Sequence, residues 1–258
     1  MNLVTFGMAR FFLLVLVSLG FFCPGRAEAQ AQLRTESWWG LMTSGQIGNR
    51  WSLWMDTHYV PELFWIGRGG VTYHTKDETF NYTFGYAGLY LTTPFSEGRL
   101  IRPERRPWGQ VIFRLPSSGQ YGVSFRFRYD ARFRANHDEF ALTEGYGFIQ
   151  RYRFNSSIRY NFGQMEAIKS NLSLSLVNET LFSAGPGRVD IPIEHRVFFL
   201  LGAQRRTATI SPGYHLRIQS TQTGEVRALH GFVLWINFNY RLRDFKRHLL
   251  EEYPADKL

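Results

Sequence analysis

Between residues 124 and 134, charged and aromatic side chains alternate one for one. Arg126, Arg128, Asp130, Arg132 and Arg134 fall on one set of positions, and Phe125, Phe127, Tyr129, Ala131 and Phe133 on the other. In an extended chain this period of two puts the ions on one face and the rings on the opposite face. The chemistry open to the ionic face is pairing, because a guanidinium fork can bind a carboxylate through two parallel N–H···O bonds. Charged residues of other segments extend the set. The expected interior network is Asp56, Glu104, Arg106, Arg126, Arg128, Asp130, Arg132, Arg151, Arg153, Glu179, Arg217 and Arg241. Buried charges need partners, so a closed interior built from these residues is expected to be salt-bridged. The set holds eight arginines and four carboxylates. That imbalance keeps a second expectation open, a narrow passage or cavity that favours anions.

Hydrolysis is the other chemistry to weigh, and it needs a nucleophile, a base and an orienting group within reach of one another. Candidate bases are His58, His74, His137, His195, His215 and His230, and serines are common in the alternating segments. The chain carries no nucleophile-elbow motif and no local His–Ser pairing on one strand face, so no catalytic residue is assigned. A membrane-embedded lipid-acting enzyme stays as an alternative. Cys23 is the only cysteine, no two histidines stand close in sequence, and His137-Asp138 alone is a weak signal. No metal or cofactor is expected.

These side chains need a scaffold that separates two faces over many segments. Alternating segments are expected at 37–45 (weakly), 50–59, 64–75, 79–91, 105–115, 120–133, 145–160, 169–182, 194–206, 210–220 and 229–241. Most reach the roughly 9–11 residues that a tilted membrane strand requires. The fold class expected is all-β, an antiparallel transmembrane up-and-down β-barrel. Bacterial single-chain barrels have even strand counts, so about 10 strands are expected, with 12 as the alternative. Long connections at 92–104, 134–144, 183–193 and 221–228 alternate with short ones at 76–78, 116–119 and 207–209. Long loops outside and short turns in the periplasm would then leave both termini in the periplasm.

The N-terminus reads as an export signal. Arg10 precedes an apolar run over 11–22, and Ala27-Glu28-Ala29 supplies a small-x-small cleavage site. The domain reading is a signal peptide at 1–29, an N-terminal segment with a candidate extra strand at 30–49, a barrel at 50–241 and a charged periplasmic tail at 242–258. A retained anchor is the alternative for the first segment. The net charge is +9, of which Arg10, Arg26 and Glu28 contribute +1 within the signal. In an exported chain that balance points away from nucleic acid and towards anionic lipid headgroups or lipopolysaccharide phosphates. Outer-membrane lipid, lipopolysaccharide and the barrel-assembly machinery are the partners expected, with no further protein partner indicated. Trp38, Trp39, Trp51, Trp54, Trp65, Trp108 and Trp235 are expected at headgroup level, with Trp54 and Trp108 as candidates to face inward.

An ordered series runs along the chain: Trp51; Gly70 and Tyr73; Gly85 and Tyr86; Glu104, Arg106 and Trp108; and Arg126, Arg128, Asp130 and Arg132. Arg151 and Arg153, Glu179, Arg196, and Gly213 and Tyr214 complete it. This order resembles a known family, the bacterial outer-membrane family catalogued as domain of unknown function 2490. Asp130 stands where the family pattern has Glu. The resemblance implies an outer-membrane barrel with no assigned activity. The functions left in view are a structural barrel or narrow anion-favouring pore, a lipid-acting enzyme, and a soluble periplasmic barrel that binds a small apolar ligand.

Overall fold

The computed structural model describes residues 32–92, 100–116, 119–138, 140–186, 193–220 and 226–242. The signal-peptide reading at 1–29 and nearly all of the tail at 242–258 lie outside them. The described chain is almost entirely strand: β1 (Gln32–Thr35), β2 (Trp38–Gln46), β3 (Trp51–Val60), β4 (Phe64–His74), β5 (Phe80–Leu91), β6 (Arg102–Arg114), β7 (Tyr121–His137), β8 (Leu142–Met165), β9 (Ser170–Ala184), β10 (Ile193–Arg205), β11 (Ala208–Ser220) and β12 (Val226–Arg241). One short 3-10 turn, Glu166–Ile168, joins β8 to β9.

Each strand from β2 to β12 pairs antiparallel with the next, and β12 closes on β2 in parallel. The ring therefore has eleven strands, within the expected range but odd in number. β1 lies outside this ring count and runs along the same edge of β12, pairing Thr35 with His230 before β2 takes over at Trp38 and Val233. The interruption falls at Glu36 and Ser37, where the Glu36 N–H donates to the His230 carbonyl at 2.9 Å. Gly231 permits this approach: a Cβ there would sit 1.9 Å from the Glu36 carbonyl oxygen. The even count presumes antiparallel closure, and the parallel seam removes that condition.

The seam also corrects the placement of the ends. Because β1, β2 and β12 start at the same rim, residues 32 and 242 lie at opposite rims. One rim carries the ends of β2, β4, β6, β8, β10 and β12 and the starts of β3, β5, β7, β9 and β11. The other carries the starts of β1, β2, β4, β6, β8, β10 and β12 and the ends of β3, β5, β7, β9 and β11. We call them the turn rim and the loop rim. β8 is much longer than expected, and its pairing shifts by a residue between Asn161 and Gly163.

The two faces of the wall follow the alternation. Met55, Phe84, Tyr86, Phe127, Phe154 and Phe199 are exposed on the outside, while Glu104, Arg128, Asp130 and His215 are no more than 1% exposed inside. The interior also holds two apolar clusters. One is Trp38, Val60, Phe198, Leu200 and Val233; the other is Ile66, Ala87, Leu89, Leu91 and Trp108.

Candidate functional site

The interior ions are delivered by parity, every second residue of β3, β4 and β6–β11, and the register brings them together. On β3 and β4, Asp56 and Arg68 form a bidentate pair, with Nε–Oδ1 2.6 Å and Nη2–Oδ2 2.7 Å. His58 Nε2 lies 3.5 Å from the same carboxylate, and the Arg68 guanidinium sits over Trp54 at 5.4 Å.

On β6 and β7, Glu104 accepts from three arginines. Arg106 donates Nε and Nη2 at 3.0 and 2.6 Å, Arg132 donates Nε and Nη2 at 2.7 and 2.8 Å, and Arg134 donates Nε at 2.9 Å.

A longer relay passes from strand to strand. Arg128 and Arg153 donate to Asp130 at 3.0 and 2.8 Å. Glu179 accepts from Arg126 at 2.7 Å and Arg196 at 3.3 Å, with Arg153 Nη1 at 4.0 Å. Arg196 and Arg217 donate to Glu194 at 2.6 and 2.7 Å. Arg217 then reaches Glu36 at 3.2 Å, and Glu36 also pairs with His215 at 2.8 Å and accepts from the Trp38 indole at 3.0 Å. The relay runs from β7 through β8, β9, β10 and β11 to the junction of β1 and β2, so it ties the seam to the far wall. At this end Trp38 packs against Phe64, Phe198 and His215, with centroids 5.8, 6.0 and 5.5 Å away. The Arg196 guanidinium lies 5.0 Å over the same indole.

Eleven of the twelve residues expected in the network point inward. Arg151 stands apart from the pairs: its Nε donates to Ser183 Oγ at 3.1 Å, and no carboxylate among the described residues lies within ion-pairing distance. Arg241 is exposed at the end of β12 and belongs to no pair among the described residues, because the strand there has run past the ionic level to the turn rim. Residues missing from the expectation are Glu36, Arg68, Arg134, Glu194, Arg196 and His215. Parity already puts Arg134 on the ionic face, two residues past Arg132, and could have recovered the Glu194–Arg196 pair. Glu36 could not be found this way, since it sits in a break between strands. The tryptophans also need correction. Trp38 and Trp235 face inward along with Trp54 and Trp108, whereas Trp39, Trp51 and Trp65 are exposed on the outer surface.

A cavity of about 360 Å³ remains between the ions and the apolar clusters. Its lining includes Arg106, Arg132, Arg134 and Arg151, the carboxylates of Asp56, Glu179 and Glu194, and the apolar Ile66, Leu89 and Leu91. No group of three or more metal-ligating side chains occurs among the described residues.

A separate array lies near the turn rim. Ser52 Oγ is 2.8 Å from His74 Nε2, and His74 Nδ1 is 3.0 Å from Asn81 Oδ1. The three residues come from β3, β4 and β5, so no local motif announces them. Their connectivity is that of a nucleophile, base and orienting group. Ser52 is only 3% exposed and does not line the interior cavity.

The family model described as protein of unknown function (DUF2490) matches residues 35–230, and the chain belongs to that family. No curated protein and no solved structure matched the chain.

Proposed function

We propose that the chain is an outer-membrane β-barrel of structural character, exported by its N-terminal signal, whose interior is filled by paired ions and aromatic packing in place of an open channel. The observation that carries this reading is the inversion of polarity across the wall. Arg128, Asp130 and Glu104 are buried inside while Phe84, Met55 and Phe199 are 70, 59 and 52% exposed outside. Soluble monomers rarely leave apolar patches of more than a few hundred Å² open to water. Lipid removes that cost, and closure of the sheet satisfies the backbone within the wall. Aromatic pairs near both rims support the reading, the exposed Trp65 and Tyr90 at the loop rim and the exposed Trp51 against the half-buried Tyr73 at the turn rim. With the long connections outward, β12 ends on the periplasmic side and β1 starts at the outer rim. Its partners are then outer-membrane lipid, lipopolysaccharide phosphates and the barrel-assembly machinery.

The test is cell fractionation combined with gel mobility before and after boiling. The protein is expected in the outer-membrane fraction, with a folded band that shifts on heating. Recovery in the soluble periplasmic fraction would sink the reading and favour a soluble barrel.

The Ser52–His74–Asn81 array favours a second reading, an acyl hydrolase. Burial of Ser52 argues that the array is instead a hydrogen-bonded clasp across β3, β4 and β5. A fluorophosphonate probe decides between them: no labelling is expected of the folded protein, and labelling that disappears in Ser52→Ala would establish the hydrolase.

A further inference from the structure

The surplus positive charge of the interior is concentrated in one place. Arg68 is matched by Asp56. Along the relay, five arginines meet the four carboxylates of Asp130, Glu179, Glu194 and Glu36. Around Glu104 the balance is different. Arg106, Arg132 and Arg134 all bond to it, and Arg102 is directed to the Ala135 carbonyl at 2.5 Å. Four guanidiniums face this one carboxylate among the described residues, a formal surplus of 4 − 1 = +3, and Arg151 borders the cluster as a fifth, bonded to Ser183 and within the field of Asp130 and Glu194. Glu104 is 1% exposed, so water screens this cluster poorly.

We propose that this cluster is a binding site for a phosphate-class oxyanion, carried either by a lipid headgroup or by a free phosphate. Three observations lead there. The charge calls for more than one negative unit, and a phosphate monoester supplies about 1.5 to 2 at neutral pH, with three strong acceptor oxygens. Guanidinium forks suit phosphate oxygens bidentately, and among the described residues no carboxylate lies within ion-pairing distance of Arg151. Four of the five arginines line the cavity of about 360 Å³, within the range of about 300–1,000 Å³ typical of ligand sites. An apolar body has a place beside the anion, because Leu89 pairs across the strands with Glu104 and lines the same cavity with Ile66 and Leu91. Glu104 then acts as a positioning residue that fixes three forks, while Arg151 is left to turn to the ligand. The site faces inward, so it does not depend on what surrounds the barrel.

The experiment is calorimetric titration of the full chain folded in detergent, at constant ionic strength set with sodium chloride. One arm uses inorganic phosphate and the other a short-chain phosphatidic acid. Saturable binding is expected in at least one arm. Arg151→Gln should weaken it about tenfold or more, and Arg241→Gln should leave it unchanged. Tighter binding of the phosphatidic acid identifies a lipid headgroup as the source, and equal or weaker binding identifies free phosphate. If Arg151→Gln gives no heat-modifiable band, Arg151→Lys, which keeps the charge but loses the fork, replaces it with weakening again expected. Absence of saturable binding in both arms by the folded wild-type protein overturns the proposal, as does a folded Arg151 variant that binds like wild type.

Discussion

At Glu104 three guanidiniums, from Arg106, Arg132 and Arg134, share one carboxylate. Removing that carboxylate leaves several cations buried without a partner, and breaking a buried pair from one side is strongly destabilising. Glu104→Gln is therefore expected to cost on the order of 3 kcal/mol or more. The loss should appear as a lower urea midpoint for the barrel refolded in detergent. Arg151→Gln should move the midpoint far less, because it strands no carboxylate. Equal midpoints for Glu104→Gln and wild type would show that the three forks contribute nothing net to stability. Much of this chemistry was readable from residue types alone. The alternation in β7 put Arg126 to Arg132 on one face, and Glu179 and Arg217 were expected inward. The partners were not readable, since Arg126 meets Glu179 across an intervening strand and Arg217 meets Glu36 across the seam.

Among the elements, the junction of β1 and β2 against β12 is the most constrained. The Glu36 backbone approaches Gly231 too closely for any side chain, and the Glu36 carboxylate turns inward to Arg217, His215 and Trp38. Gly231→Ala must push the two strands apart at this point. The expected outcome is a seam that opens first: raised protease cleavage near residues 32–37 and a lower temperature for the heat-induced mobility shift. A Gly231→Ala barrel with unchanged proteolysis would mean that the seam is not held by this contact. Period-two patterning found the strands on either side well, because alternation is a local property. It missed the Glu36 break, which is forced by the neighbouring strand, and it shortened β8, whose ends at 142–144 and 161–165 do not alternate cleanly.

For the molecule as a whole, the question is whether anything passes through it. Trp38 reaches from β2 to Phe64 on β4 and Phe198 on β10, and the ion relay lies alongside it. A barrel blocked in this way should give no single-channel steps in a planar bilayer. Trp38→Ala takes out the ring common to these contacts and is the variant expected to conduct, with anions favoured by the surrounding arginines. Steady anion-selective steps from the wild-type protein would replace the filled interior with a narrow pore.

The sequence by itself determined the class of fold, the position of most strands and which face of each carries charge. Those features rest on alternation and on turn residues, which act within a few positions of the chain. Tertiary structure decided the strand number, the parallel seam, the pairing of each guanidinium and the gathering of surplus charge around Glu104. Each of these depends on register between strands far apart in sequence, and a shift of one residue would turn every side chain to the other face. The interior network was foreseeable as a set of ions facing inward. Its unequal distribution, with Arg151 outside ion-pairing distance of any carboxylate among the described residues, exists only once the ring has closed.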